Sequence, residues 1–370
     1  MNRRSVLKGT GLALSAGLLG IRPAVSRAEN AQREVAGPIR VSLNENPYGP
    51  SPRVREAIEN ELGRVNRYAD ESAAEDLRAV IAAKEGVSSE QVVLGEILRL
   101  LGFYLAQQGG PGSEFLYSRP GYMALVDAAA AVGGVGVGVP LNARFTNDLD
   151  GLREKLSART KAVYLVNPHN PTGTVSGKQE FLGFLREASK SAVAIVDEAY
   201  LEYTTDFEER TAAALVREGA NVMVFRTLDK IHGLAGLPIG YVLAPRKLAE
   251  ALHKEGAPDA EALGRLTLVA ARAALGDPAQ VARTRTVVAE ERRKWHQFLD
   301  HLQLPHTDSQ ASFVFFDLGK PQIELATALR AQGIDIGRVH APYINWARIT
   351  IGLPEENRRV QQALGVFLRG

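Results

Sequence analysis

Three polar residues of different chemistry each follow a short apolar run of the sequence. Asn170 lies in NPHNPTG after KAVYLV, Asp197 opens DEAY after AVAIV, and Lys230 ends RTLDK after VMVF. A lysine amine can form a Schiff base with an aldehyde. A carboxylate that faces a pyridine nitrogen keeps that nitrogen protonated and makes the ring an electron sink. Asn170 and Tyr200 can donate hydrogen bonds to a ring oxygen. These residue types together indicate a site for an aldehyde-bearing pyridine cofactor.

Each residue also has a simpler interpretation. NPHNPTG is rich in turn-forming residues, Asp197 could cap a helix, and Lys230 could be a solvated loop lysine. All three simpler interpretations would have to hold together, in this order along the chain. A shared ligand explains the set with one assumption, and we favour it.

A repeating sequence pattern between about residues 90 and 250 indicates the strands and helices that would position these residues. Short apolar runs alternate there with amphipathic helical stretches, which predicts a mostly parallel sheet with helices on both faces. The runs are EFLY (114–117), VGVGV (135–139), KAVYLV (161–166), AVAIV (192–196), VMVF (222–225) and IGYVLA (239–244). Ligands of such sheets bind beyond the carboxyl ends of the strands. We therefore expect Asn170, Asp197 and Lys230 to meet at one edge.

The flanking regions have different patterns. PIRVSLNENPYGPSP predicts an extended arm, because it is too rich in Pro and Asn for a helix. Helical patterns follow at about 51–62 and 73–85. The C-terminal third predicts a small α+β domain, with a charged helix at roughly 279–302, the apolar segment SFVFFDL, a helix near 322–332, a strand at ARITIG and a last helix from Pro354.

The first residues predict an export signal. Arg3, Arg4 and Lys8 precede an apolar stretch over 9–21, which is too short to span a bilayer, and Ser26-Arg27-Ala28 fits a cleavage site. The paired arginines resemble a twin-arginine signal, which implies export in folded form to the periplasm. The alternative is a frayed basic N-terminus.

Cleavage after Ala28 would leave 39 basic and 42 acidic residues, a formal net charge of −3. This charge argues against a nucleic-acid partner, and cleavage implies no stable membrane association. The chain has no cysteine, which excludes disulfides and thiolate metal sites, and no HExxH pattern, so we predict no metal site.

Taken together, NPHNPTG, DEAY and RTLDKIHGLAG resemble, in order and spacing, the fold-type-I pyridoxal-phosphate (PLP) aminotransferases. The closest branch is similar to the histidinol-phosphate aminotransferases. Further matches are LNENPYGPSP with the N-terminal arm, RYAD with the tyrosine motif, RPGY with the PTY motif and ARITIG with the C-terminal motif. The resemblance covers about residues 38–368. It implies an α/β fold, PLP as cofactor, amino-acid and keto-acid substrates, and a homodimer with shared active sites.

The resemblance also implies roles for single residues. Lys230 would be the Schiff-base lysine and proton shuttle, and Asp197 would pair with the pyridine nitrogen. The other implied cofactor contacts are Asn170 and Tyr200 at the ring oxygen, Tyr122 over the ring, Gly95 and Glu96 in the phosphate-binding region, and Tyr68, which reaches the neighbouring subunit's site. Arg348 would grip the substrate α-carboxylate in a bidentate manner, and Asn46 would also contact substrate.

The implied domain boundaries follow the same comparison. They are the signal at 1–28, the arm with part of the small domain at 29–62, the large cofactor-binding domain at 63–250 and the C-terminal small domain at 251–370.

The phosphate-binding residues depart from the family pattern. The family uses a Gly/Ser-rich cup at a helix N-terminus, a serine before the lysine and an arginine eight residues after it. Here Gly95 leads straight into a helix, the serine is Asp229 and the arginine is Pro238. Like unit charges 4 Å apart repel by roughly 4 kcal/mol at an effective dielectric constant near 20. Ordinary phosphate anchoring is therefore not expected.

Two explanations of this departure stay open. In the first, PLP is held by the imine, by Asp197 and by replacement donors such as His232, Arg99 or a group of the partner subunit. In the second, the pocket is rebuilt for a different or cationic group.

The expected function is an exported PLP-dependent aminotransferase that follows a ping-pong cycle. One alternative is a lyase, racemase or amino-acid oxidase on the same scaffold. Another is a non-catalytic binding protein derived from an aminotransferase.

Overall fold

The structure is a computed structural model of the 370-residue chain, and it describes residues 38–369. The predicted signal at 1–28 lies outside the described residues. The strands are β1 (Ile39–Val41), β2 (Val92–Leu94), β3 (Glu114–Arg119), β4 (Val135–Pro140), β5 (Thr160–Val166), β6 (Val193–Asp197), β7 (Val222–Thr227), β8 (Gly240–Leu243), β9 (Phe313–Asp317), β10 (Ile334–Ile336) and β11 (Trp346–Thr350).

Helices flank these strands along the described chain. They are α1 (Pro52–Glu61), α2 (Glu71–Glu85), α3 (Leu98–Gly109), α4 (Ala124–Ala130), α5 (Leu149–Lys155), α6 (Lys178–Ala188), α7 (Phe207–Arg210), α8 (Ala213–Arg217), α9 (Arg246–Lys254), α10 (Ala260–Leu263), α11 (Arg265–Leu275), α12 (Pro278–His301), α13 (Gln322–Arg330) and α14 (Pro354–Arg369). Between residues 38 and 369, none of these helices has both the length and the apolar character needed to cross a membrane.

The central sheet has seven strands in the order β2-β8-β7-β6-β5-β3-β4. Strand β8 runs antiparallel to both of its neighbours, β2 and β7, and the other strand pairs of this sheet are parallel. All six apolar runs identified in the sequence form strands, which confirms the predicted mostly parallel α/β sheet. The short strand β2 was not predicted, because three apolar residues carry no periodicity that distinguishes a strand from the apolar helix that follows.

The inner strands are continuous apolar runs in the sequence because both faces of these strands are buried. Every residue of β6 and β7 is buried, as expected for parallel strands covered on both faces. Strand β4, with the sequence VGVGVP, lies at the sheet edge and is partly exposed.

The C-terminal region forms a second core. Strands β9 and β11 pair antiparallel, and the arm strand β1 pairs in parallel with β10, so Ile39 lies opposite Ile334. Helix α12 contributes Trp295 to this core, where it is fully buried. Helix α12 begins where Asp277 caps it, accepting a hydrogen bond from the Gln280 N–H at 3.1 Å.

Candidate active site

The carboxyl ends of β5, β6 and β7 bring the predicted residues to one sheet edge. Asp197 is the last residue of β6 and pairs with Val166 of β5 and Phe225 of β7. Lys230 lies three residues beyond β7, close enough for its charge to lower the pKa of Asp197. The amine and the carboxylate that the sequence places 33 residues apart are thus neighbours in the structure.

Asp197 is buried and held from two sides. Its Oδ2 accepts a hydrogen bond from the Tyr164 hydroxyl at 2.9 Å, and its Oδ1 accepts one from the Ala199 N–H at 3.0 Å. Burial raises the pKa of Asp197 to about 6, and the two hydrogen bonds and Lys230 offset only part of this rise. A carboxylate in this environment gains from a cationic partner such as a protonated ring nitrogen.

Sequence analysis missed Tyr164. It lies in β5, its side chain is fully buried, and burial raises the pKa of its hydroxyl well above the usual range. The available signal was a hydroxyl-bearing residue inside an otherwise aliphatic strand that ends at the site.

Arg348 and Asn170 are brought together from distant segments. The Arg348 Nη1 donates to the Asn170 Oδ1 at 2.6 Å, and its Nη2 donates to the Ser42 carbonyl at 2.8 Å. The guanidinium lies over the Phe313 ring, 5.5 Å from its centroid, and its buried Nε has no hydrogen-bond partner within the described residues. Burial lowers the pKa of Arg348. The contact of Asn170 with a ring oxygen stays a prediction.

The N-terminal arm supports the site through two asparagines. Asn44 Nδ2 donates to the Tyr200 hydroxyl at 2.9 Å. Asn46 Nδ2 donates to the Ile231 carbonyl at 2.9 Å, directly after Lys230. Asn46 therefore holds the lysine loop in this structure, and its predicted substrate contact stays a prediction. The role of Asn44 was missed; its positive φ of 57° and its bond to Thr350 are visible only in the fold.

The two predicted aromatic residues occupy different places. Tyr122 is partly exposed, and burial raises the pKa of its hydroxyl, with further contributions from Asp197 and Glu96. Tyr122 therefore lies near Asp197 and Glu96. Tyr68 is 77% exposed and lies on a surface segment whose carbonyl accepts a hydrogen bond from Arg265. Its reach into a partner's site stays a prediction.

The region predicted to hold the phosphate contains two carboxylates. Asp229 Oδ1 accepts a hydrogen bond from the Ile239 N–H at 3.3 Å. The Glu96 carboxylate lies against Gly240, where an added Cβ would come within 2.8 Å of its Oε1. Thr227 and Gly240 are opposite each other in the β7–β8 pair, so both acids lie over the same end of this hairpin. Burial raises the pKa of both carboxyls, that of Glu96 to about 7, and Asp229 is the next contributor to the rise at Glu96. Glu96 as a residue is exposed, whereas its carboxyl group lies against Gly240.

The expected replacement donors are differently placed. The His232 Nε2 lies 3.3 Å from the Glu202 Oε2, within a buried ion cluster that includes Lys84. Gly95, with φ at 106°, uses its N–H to bond the Gly240 carbonyl at 2.7 Å. Pro238 is exposed and has no N–H to donate. Arg99 is exposed at the start of α3, near enough to Tyr122 to affect the pKa of its hydroxyl.

A sequence model of aminotransferase class I and II matches residues 36–364 of the chain. The chain belongs to this aminotransferase family. It is 39% identical over 351 residues to a histidinol-phosphate aminotransferase of Anaeromyxobacter sp., with 92% of this chain and 94% of the relative covered. It is 34% identical over 363 residues to the histidinol-phosphate aminotransferase of Moorella thermoacetica, covering 95% and 92%.

A solved structure shows the same likeness. The histidinol-phosphate aminotransferase of Sinorhizobium meliloti, in complex with pyridoxal-5′-phosphate, is 28% identical with a TM-score of 0.81, covering 90% of this chain and 91% of that one. The predicted fold-type-I architecture and the predicted class of enzyme, a transaminase, are both confirmed.

The two ends of this aminotransferase's pocket fit the family cofactor unequally. At the ring end, Lys230 and the buried Asp197 provide an amine and an acid of the kind that PLP chemistry needs. At the other end, Glu96 and Asp229 present like charges to a phosphate, and the N–H groups of Gly95 and Ile239 are already bonded within the protein. The residues present fit the pyridine ring and the aldehyde, and the two carboxylates at the other end disfavour a phosphate dianion.

Proposed function

We propose that this chain is a PLP-dependent aminotransferase that takes an amino group from an amino acid or related amine and gives it to a keto acid. The observation that carries the proposal is the proximity of Lys230 to the buried Asp197 at the carboxyl edge of the sheet. Membership of the aminotransferase class I and II family supports it.

The chain's own residues divide the work. PLP, when bound, supplies an aldehyde and an electron-withdrawing ring. Lys230 would hold the cofactor through its Nζ, and the freed amine would serve as the group that accepts and returns the substrate's α-proton. Asp197 would pair with the ring nitrogen, and Tyr164, which donates a hydrogen bond to the Asp197 carboxylate, fixes that carboxylate in position. Arg348, held by Asn170 and Ser42, would bind an anionic substrate group.

The donor is an open choice within this proposal. The relatives are named histidinol-phosphate aminotransferases, so histidinol phosphate belongs among the donors to be tried. The predicted export signal favours amino acids instead, because a biosynthetic step fits poorly with a periplasmic enzyme.

We also propose that the chain is exported in folded form and acts in the periplasm as a homodimer. The N-terminal Arg3 and Arg4 support the first part. Cell fractionation of an Arg3→Lys/Arg4→Lys variant tests it, since the pair should be required for release into the periplasm.

Borohydride reduction tests the catalytic proposal. We expect reduction of the PLP-loaded protein to fix the cofactor on the peptide that contains Lys230, as measured by mass spectrometry and by the absorbance of the reduced adduct. Lys230→Ala should lack the adduct and lose amino transfer by at least about 10³-fold, because both the covalent attachment and the proton shuttle are removed. Lys190→Ala, which changes an exposed lysine, should behave as wild type.

Two results would contradict the proposal. One is a protein that acquires no adduct at position 230 with any form of the cofactor. The other is keto-acid release from amino donors that needs no amino acceptor, which would indicate a lyase or oxidase.

A further inference from the structure

The end of the pocket beyond Lys230 is built around two acids. The Glu96 carboxylate lies against Gly240, and the Asp229 carboxylate accepts the Ile239 N–H from the same β7–β8 hairpin. Each acid arrives from a different element, Glu96 from the segment between β2 and α3, and Asp229 from the loop after β7. The tertiary structure thus brings Glu96, which the resemblance had already implied for the phosphate-binding region, to the same hairpin as Asp229.

Nearby cations offset this pair only in part. Lys230 lowers the pKa of both carboxyls, and in the proposed function this amine is bonded to the cofactor aldehyde. Arg226, which lies on β7, is buried and bonded to Glu85 at 2.5 Å and to Glu198 at 3.1 Å. His232 lies against Glu202.

The remaining donors offer little more. Arg99 is exposed near Tyr122, and among the described residues it forms no ion pair with Glu96 or Asp229. The start of α3 offers backbone N–H groups, since no side chain caps this helix. These groups can bond a neutral oxygen as well as a charged one. The charge balance at this end of the pocket is therefore set by Glu96 and Asp229.

We propose that this site selects the unphosphorylated form of the cofactor, so that pyridoxal, with a hydroxymethyl group where PLP carries phosphate, binds at least as tightly as PLP. A hydroxyl can donate a hydrogen bond to a carboxylate, whereas a phosphate brings two negative charges to the same place. This inference rests on the proposed function, which concerns the ring end of the pocket. It adds a statement about the other end, namely which form of the cofactor that end accepts.

The test is equilibrium binding to the mature, cofactor-free protein. Dissociation constants for pyridoxal and for PLP are measured separately by absorbance titration at pH 8, which lies above the pKa of about 7 of Glu96. We expect the dissociation constant of pyridoxal to be equal to or lower than that of PLP.

Asp229→Asn and Glu96→Gln should each tighten PLP binding by about tenfold or more, because each removes one repulsive charge. Pyridoxal should change by less than about threefold, since it carries no phosphate charge. Asp127→Asn, at an exposed position of α4, is the matched charge control and should change neither ligand.

The outcomes separate the inference from the proposed function. Tighter binding of PLP than of pyridoxal by the wild-type protein overturns the inference, whatever the variants do, and leaves the proposed function standing. Failure of both ligands to form a borohydride-stable adduct at Lys230 overturns the proposed function itself. If one variant does not fold, as judged by circular dichroism, the other variant and the wild-type comparison still decide.

Discussion

Among single residues, Asp197 shows most clearly how function opposes stability. Its pKa of about 6 in the folded chain lies above the usual value of 3.8, because burial disfavours the charged form. The unfolded chain therefore ionises first, and the free energy of unfolding falls as the pH rises from about 4 to about 6. Above this range the ionised carboxylate destabilises the cofactor-free protein by up to about 3 kcal/mol. A ligand with a protonated ring nitrogen would recover this energy.

Asp197→Asn tests this account in the cofactor-free protein. We expect the variant to have a higher free energy of unfolding than wild type at pH 7.5, by about 1–3 kcal/mol, and to be unable to support amino transfer. The two proteins should converge in stability near pH 4. Urea denaturation at several pH values provides the measurement, with Asp127→Asn as the exposed control. A loss of stability at pH 7.5 would show that the carboxylate is a structural rather than a functional group.

At the scale of elements, the lysine loop depends on its contact with the N-terminal arm. Gly233 has a φ of 74°, and a Cβ added there would lie 2.6 Å from the Gly49 carbonyl carbon. Asn46 bonds the same loop at Ile231. The glycine thus permits a close backbone approach that no other residue type allows.

Gly233→Ala should destabilise the protein by about 1–3 kcal/mol through positive-φ strain and the clash with the arm. It should also lower the rate of cofactor attachment, because Lys230 is displaced with its loop. Gly236→Ala is the matched control, since an added Cβ there meets no atom within 4 Å. Thermal denaturation and the kinetics of absorbance change on PLP addition measure the two effects. Equal stability of the two alanine variants would rule out the arm contact as a constraint.

For the whole molecule, the question is whether the site is completed by a second subunit. The segment that ends α1 and precedes α2 exposes the large apolar residues Leu62, Val65 and Tyr68, at 51%, 59% and 77%. We propose this segment as an interaction surface, because large exposed apolar patches mark such surfaces. A two-fold dimer would bury the segment and could carry Tyr68 to the partner's pocket.

Mixing two inactive variants tests this arrangement. We expect Lys230→Ala and Tyr68→Ala each to have low activity alone. Refolded together, they should form mixed dimers in which one site contains both native residues, which restores up to about a quarter of wild-type activity per subunit. Sedimentation velocity confirms the dimer in each sample. Activity no greater than the average of the two separate variants would place Tyr68 outside the partner's site.

The sequence by itself determined the scaffold and the reactive pair. Continuous apolar runs predicted β3 to β8, because strands buried on both faces need apolar residues at every position. The carboxyl ends of those strands then predicted where Asp197 and Lys230 lie. The substitutions at positions 229 and 238 were also visible in the sequence. Asp229 directly precedes Lys230, and Pro238 follows it by eight residues.

Only the tertiary structure decided which side chains complete the site. The hydroxyl of Tyr164 and the amide of Asn44 reach the site from segments that lie 33 and 156 residues away from their partners. The sequence named Asn46 and Glu96 as site residues, but only the fold shows that Asn46 bonds Ile231, 185 residues away, and that Glu96 lies against Gly240. His232 turned toward Glu202, although the sequence allowed it to face the ligand. The physical reason is that a local pattern fixes burial and strand ends, whereas the direction of a side chain depends on sheet register and on contacts with distant segments.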